Sequence, residues 1–564
     1  MLDKISYRTA LIIFFISGVI FLVAGSAVAL LAFDLVSPTT VVTRVRESEL
    51  IQRAVRQTNI PTVEPYVMID WSNRDDFVVT VDVARDSHAI SNLIYGVSFA
   101  DQEFMVDTGT SLNNWGGNAT TRYNWEIGNA WNAARDWEFR NGDYGETGNV
   151  ADAFLADSAE IGRSTRLALP TLGWVAKDTH NDTCSFPQPD GSCGYVYESN
   201  CDTPTVVADP NTANVPTDVD FMRRWLQHIR ETHGSNAITI LAMDNEPELW
   251  GYTHYDVHPD CTTYDEVFDK YISYATMARE ELPNAMLAGP TTCCWHYYWN
   301  SAAGRADKRA HGGQDFLPWF LDQMREHDEA AGERYLDILD LHYYPTEGIF
   351  SYDVSDRISD MRLRSTRSLW DRNYRDESWI NQPIYLIPRM QELIEEHYPG
   401  TKFGLSEWNF GADSSMNGAL AIADALGIFG REQLYFANYW TTPKVGSPGY
   451  LAFKLYGNYD DQGGRFGDLS VAAQSSDDYA ISSFASVDTS TGNLHVMLVN
   501  KQVDGETTIT LNLQNYEHGG AATYTRLGAD NVDQLQSGEI STDSADFSVT
   551  LPAYSITHLV VLAD

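Results

Sequence analysis

The chain has 564 residues, more than one hydrophobic core normally organises, so a large domain of catalytic size plus a smaller one is expected. Lys+Arg 38 against Asp+Glu 78 leave a formal net charge of −40, a surface that repels phosphate backbones and anionic lipid and excludes nucleic acid as a partner. The 15 Trp and 30 Tyr suit either a large core or stacking platforms for sugars.

In chain order, Lys4 and Arg8 precede an uncharged apolar run, Ala10–Phe33. A membrane-spanning helix needs roughly 20 apolar residues, against about 7–15 for a signal h-region. The expectation is therefore a transmembrane signal-anchor within residues 1–36, or a signal peptide cut near the "AVA" at 27–29. In both cases the rest of the chain is extracytoplasmic, and this helix is its only membrane contact. Residues 37–62, opening with "SPTT", read as a linker. Residues 63–92 contain "YVMIDWSNRDDFVVTVDV", which alternates as strands do and supplies the N-terminal strands of a β-sandwich.

From 93 to 460 short apolar runs alternate with amphipathic segments, the pattern of a parallel βα sheet. Eight strands are expected: 93–99, 112–118, 165–176, 237–246, 285–290, 336–344, 402–408 and 433–440. Among the helices between them, Thr217–His233 places Phe221, Trp225 and Ile229 on one face and stops before Gly234. Thr263 with Glu266 forms a capping box for another. Eight such units over about 350 residues give a (β/α)8 barrel, of α/β class. Residues 461–564 return to alternation broken by turns, as in "TTITLNLQNY" and "FSVTLPAYSITHLVVL", and complete the sandwich.

A barrel places its active site at the C-terminal ends of its strands. There the sequence sets Asn245-Glu246 after strand 4, His342 and Tyr344 after strand 6, Glu407-Trp408 after strand 7 and Trp440 after strand 8. Two carboxyl groups across a barrel mouth fit glycoside hydrolysis: one protonates the leaving oxygen and the other attacks or activates water. Pro247 disfavours helical geometry at Glu246 and helps fix it at the strand end. The six cysteines, all within 184–294, follow strands 3, 4 and 5, so disulfides tying neighbouring rim loops are expected. His254, Asp256 and His258 alternate as metal ligands can, but no H-E-x-x-H occurs and no catalytic metal is assigned. A structural calcium is compatible with the acidic loops, although no loop has EF-hand spacing. No nucleophile elbow, P-loop or dinucleotide fingerprint stands out.

Three runs, "DNEPELWGYTHYDVHP" at 244–259, "WGGNATTRYNWEIGNAWNAARDWEF" at 115–139 and "GLSEWNFG" at 404–411, resemble glycoside hydrolase family 44, of the clan of retaining (β/α)8 enzymes. The resemblance extends from about Pro65 to the C-terminus. It implies endo-acting hydrolysis of β-1,4-glucan polysaccharides such as cellulose derivatives and xyloglucan, with no cofactor required. It also implies a β-sandwich built from segments before and after the barrel, and the expected state is a monomer. Carried onto this chain, it makes Glu246 the general acid/base, its pKa raised by ionised Glu407, and Glu407 the nucleophile. Asn245 would hold a sugar 2-hydroxyl, Tyr344 orient the nucleophile and His342 contact substrate. Trp115, Trp408 and Trp440 are candidate stacking platforms. The sequence departs from the clan at the end of strand 2, where an arginine is usual and Asn113 and Asn114 stand instead; Arg122 is the nearest substitute. The rival readings are a clan relative acting on mannan or xylan, and a polysaccharide-binding surface protein without turnover.

Overall fold

Eight parallel strands close into a barrel: β1 (Gly96–Ser98), β2 (Leu112–Trp115), β3 (Ser164–Leu169), β4 (Ile240–Met243), β5 (Met286–Thr292), β6 (Ile338–Tyr343), β7 (Lys402–Trp408) and β8 (Phe436–Tyr439). Each overlaps one of the eight segments expected from the sequence, with β3 beginning one residue before its segment and β5 running two residues past the end of its own. This computed structural model describes residues 77–145, 148–180, 186, 201, 209–542, 544 and 546–564. β8 pairs with β1 through Asn438 and Gly96, which closes the ring. Strands in such a barrel are covered on both faces, which explains their nearly continuous apolar runs. All four residues of β4 are buried.

The barrel interior is layered. Leu112, Ile240, Ile338 and Phe436 fill its lower part as one apolar cluster. Gly404 faces this layer, and a Cβ there would meet the Phe436 ring at 2.1 Å. Above it the inward positions become polar: Asn114 on β2, Arg166 on β3, Asp340 on β6 and Ser406 on β7 are all buried. The helix expected at Thr217–His233 runs Val219–His233 and buries Phe221, Trp225 and Ile229. It starts later because Asp218 is its N-cap, accepting from the Phe221 N–H. Thr263 caps Tyr264–Glu281 by accepting from the Glu266 N–H at 3.2 Å.

A second body of structure is a ten-stranded sheet. Its strand Phe77–Asp82 precedes the barrel, pairs antiparallel with Leu469–Ser475 and parallel with Thr507–Gln514. The sheet is thus completed by chain from both sides of the barrel. Val79, Leu511 and Val549 from one half share a core with Val496, Leu498 and Leu559 from the other, so the sheet folds over on itself as a sandwich. Barrel and sheet belong to one compact unit, Asp70–Asp564.

One expectation is corrected. Among the described residues no helix is long and apolar enough to cross a membrane, so the described fold contains no transmembrane helix. The run Ala10–Phe33 that prompted it, and the linker at 37–62, lie outside the described residues.

Candidate active site

β7 carries its acidic residue inward by an irregularity. Residues pair in step with β6 as far as Leu341 with Leu405, but the next pair is His342 with Glu407. Ser406 is the extra residue of a β-bulge. Its N–H donates to Asp340 Oδ1 at 3.0 Å, which fixes the bulge. Strict alternation from inward Ser406 would turn Glu407 out of the barrel; the bulge aims it into the mouth beside His342.

Glu246 arrives differently. β4 ends at Met243, and the chain then turns through left-handed conformations at Asp244 (φ 66°) and Glu246 (φ 42°). Each such residue costs about 1–3 kcal/mol unless its surroundings hold it. Buried Asp244 does so by accepting from Thr121 Oγ1, from the Thr171 N–H and Oγ1, from the Leu172 N–H and from the Asn245 N–H. The Glu246 N–H donates to Thr291 O at 3.1 Å. Pro247 therefore excludes the right-handed helix at Glu246 as expected, but the residue leaves the strand instead of extending it. Pro247 opens a single 3-10 turn, Pro247–Leu249, and the preceding backbone bends to enter it.

The two carboxyl groups meet across the mouth. His342 Nδ1 lies 2.8 Å from Glu246 Oε1 and 3.4 Å from Glu407 Oε2. One oxygen of each glutamate and the histidine nitrogen all fall within 4.8 Å of one another. Tyr344 donates to Glu407 Oε2 at 2.7 Å. Burial pushes the Glu246 carboxyl up to about 8, and the charge of Asp136 adds to this. Burial raises Glu407 to about 7. The charge of Glu246 also raises Glu407, while His342, the Tyr344 hydrogen bond and Arg166 pull it down. The order suits one proton shared by the pair and resident on Glu246. The sequence made Glu407 the cause of the shift at Glu246; burial and Asp136 are the causes instead. Burial holds His342 below the ordinary histidine value, while the charges of Glu407 and Asp340 act to raise it.

Beside Asn114 at the end of β2 stands a buried arginine from β3. Arg166 Nη2 lies 2.6 Å from Asp340 Oδ2, with both side chains at most 1 % exposed. Its Nη1 donates to Asn114 Oδ1 at 2.8 Å, and Asn114 Nδ2 donates to the Ser406 carbonyl at 3.3 Å. Arg166, Asp340 and Asn114 thus form a polar floor directly under the bulge that carries Glu407. Arg122 is not the substitute. It donates from Nε to His254 Nδ1 at 2.9 Å and from Nη1 to Asp256 Oδ2 at 2.7 Å, which accounts for two residues of the alternating His/Asp run without metal. The third, His258, bonds Glu266 at 2.7 Å.

The remaining expected residues separate. Asn245 stays at the mouth, with Nδ2 donating to Asn118 Oδ1 at 3.1 Å; Asn118 Nδ2 in turn donates to Asp136 Oδ2 at 2.6 Å. Trp440 is partly exposed, and its ring covers Gly117, where a Cβ would meet it at 2.3 Å. Trp115 is buried among Phe99, Tyr123, Tyr144 and Phe154. Trp408 is buried among Phe410, Phe429, Tyr439 and Phe453, because the position after the bulge faces the helices. Neither buried ring offers a face to a sugar, so both leave the list of platforms.

Sequence reasoning passed over Arg166 and Asp340, although the one charge inside "TRLALP" and the second of the two aspartates inside "LDILDL" were the available signals. Glu248 was also given no role. It is buried, accepts from the Cys293 N–H and is raised to about 8 by burial, with Glu246 adding to the shift. Cys201, after β3, is bonded to Cys261, after β4, whereas Cys293 is bonded to its neighbour Cys294 and ties no second loop. Cys184 and Cys193 lie outside the described residues.

Residues 130–347 match the profile of glycoside hydrolase family 44. Endoglucanase A of Paenibacillus lautus is 31% identical over 526 residues, which are 87% of this chain and 73% of that protein. The crystal structure of a bifunctional glucanase-xylanase from a metagenome library superposes with a TM-score of 0.82 at 36% identity, covering 87% of this chain and 100% of that one. A xyloglucanase of Paenibacillus polymyxa, solved with xyloglucan, superposes with a TM-score of 0.75 at 26% identity, covering 87% and 100%.

Proposed function

The chain belongs to glycoside hydrolase family 44, and on that premise we propose that it cleaves internal β-1,4 bonds of xyloglucan and soluble cellulose derivatives with retention of configuration. It is a glycoside hydrolase of β-glucans, and the reaction requires no cofactor. The observation that carries the proposal is the Glu246–Glu407 pair, brought within 4.8 Å through His342. A retaining pair stands about 5–5.5 Å apart; an inverting pair leaves room for a water at about 6.5–9.5 Å.

In the first step protonated Glu246 gives its proton to the glycosidic oxygen while ionised Glu407 attacks the anomeric carbon. The carbon–oxygen bond breaks, the leaving chain departs with the proton, and a glycosyl ester forms on Glu407. In the second step Glu246, now a carboxylate, takes a proton from water as that water attacks the same carbon and frees Glu407. Tyr344 holds Oε2 of Glu407, which orients the carboxylate for attack through Oε1. A group at about 8 is protonated at neutral pH, and its partner at about 7 is substantially ionised there.

Release of reducing ends from xyloglucan, carboxymethylcellulose, mannan and xylan, with Glu407→Ala as control, tests the reading. Release from xyloglucan or carboxymethylcellulose that disappears in the control supports it. No release from any of the four between pH 4 and 9 overturns it. A second reading, with xylan as a further substrate, is favoured by the likeness to a glucanase-xylanase. An extracytoplasmic location is part of the proposal: a polymeric substrate stays outside the cell, and the Cys201–Cys261 bond suits an oxidising compartment. Recovery of the activity only with cytoplasmic markers would contradict it.

A further inference from the structure

The rim loop between β6 and the helix Asp356–Ser365 is held by an arginine that the catalytic pair does not use. Arg362 is fully buried. Its Nη2 donates to the carbonyls of Ile349 (2.8 Å), Ser351 (3.1 Å) and Asp353 (3.0 Å), and its Nε to that of Phe410 (2.8 Å). Three alternate carbonyls of one loop thus converge on one guanidinium, which also grips the chain just beyond β7. Gly411 brings the loop closer still: at φ 79° it packs where a Cβ would lie 2.4 Å from Ser351 O.

A loop fixed this firmly nevertheless presents bare aromatic rings. Phe350 is 47% exposed and Tyr352 is 83% exposed. The Phe350 ring packs on that of Tyr344 with centroids 4.8 Å apart, and the Tyr344 hydroxyl is the donor to Glu407. Phe350 is therefore one ring removed from the nucleophile, on the rim of the same mouth. Exposed aromatic faces beside a cleft match the axial C–H faces of β-linked glucose, and a backbone locked beforehand avoids the entropy of ordering it on binding.

Resting on the β-glucan reading above, we propose that Phe350 and Tyr352 form a stacking platform for a glucosyl unit on the nucleophile's side of the cleft. Arg362 is its positioning residue. The platform extends the grip on the polymer beyond the bond being cleaved, and it sets how long a chain the enzyme prefers.

The test is a titration of cellohexaose onto enzyme made inert by Glu407→Gln, so that binding is read without turnover. Adding Phe350→Ala or Tyr352→Ala is expected to raise Kd at least fivefold, with the fold retained by circular dichroism. Phe350→Trp restores the affinity, whereas Phe350→Leu, apolar but without a flat face, does not. Arg362→Lys weakens binding in the Phe350 background and adds little once Phe350 is Ala, the coupling expected of a residue acting through the ring. Kd values for Phe350→Ala and Tyr352→Ala within twofold of the parent, or equal rescue by Leu and Trp, overturn the platform. Turnover of wild-type enzyme on xyloglucan, measured alongside, tests the glucanase reading on its own.

Discussion

Replacing Tyr344 with Phe removes a single hydroxyl, 2.7 Å from Glu407 Oε2, and keeps the ring that packs against Phe350. A hydrogen bond to a charged group contributes about 1.5–3 kcal/mol. Each ~1.4 kcal/mol is one pKa unit, so the loss moves Glu407 upward by about one to two units. Glu407 starts at about 7, under Glu246 at about 8. The variant therefore brings the nucleophile level with its partner or above it, and the shared proton comes to rest on the wrong carboxyl. In wild type, kcat/KM rises with pH as Glu407 ionises and falls as Glu246 loses its proton, giving a bell with limbs near those two values. Tyr344→Phe should carry the acid limb upward by about one unit, to where it meets the limb of Glu246. The bell narrows, and the rate at its acid side falls by roughly ten- to a hundredfold. The assay is kcat/KM on soluble xyloglucan from pH 4 to 10, with circular dichroism to confirm the fold. An acid limb that stays within about a quarter of a unit of wild type would refute the role given to Tyr344.

Three further outcomes are expected. Glu407→Ala should lose at least about a thousandfold in kcat with an unchanged melting temperature, and retained turnover would move the nucleophile elsewhere. Arg166→Met leaves Asp340 buried without its partner and should destabilise by about 3–5 kcal/mol in urea unfolding; a cost under about 1 kcal/mol would show that the floor pair is not holding β3 to β6. Glu248 has a folded pKa raised from 4.5 to about 8, so the native state holds the extra proton and stability falls as pH rises across that window. Glu248→Gln keeps an acceptor for the Cys293 N–H and removes the loss, so its melting temperature should exceed wild type at pH 8 and match it at pH 4. An equal gain at both pH values would contradict this.

Much of the fold was legible because a parallel barrel strand is covered on both faces and so advertises itself as an apolar run between amphipathic helices. The two glutamates and Tyr344 could be placed by the rule that barrel chemistry collects at strand ends. The direction of Glu407 could not, because it depends on a bulge at Ser406 that a strict two-residue alternation does not contain. The same one-residue slip decides that Trp408 faces helices and not substrate, so an aromatic neighbour of the nucleophile was misread as a platform. Arg166 reaches Asn114 through adjacent strands, β3 and β2, separated by 52 residues of chain. Pairing at that range is set by barrel register, which local sequence does not carry. Arg122 was drawn to the nucleophile by its nearness in sequence to β2, yet its partners Asp256 and His254 come from the loop beyond β4. Phe350 and Tyr352 follow the "HYYP" run and look like ordinary loop aromatics until the Arg362 clamp shows that their backbone is fixed.

The closeness of Glu246 and Glu407 is the centre of the account, and stereochemistry reads it most directly. Proton NMR of the first product released from cellohexaose, recorded before mutarotation, should show the β-anomer, as two successive displacements require. An initial α-anomer would mean that water attacks directly and that Glu407 is not a nucleophile.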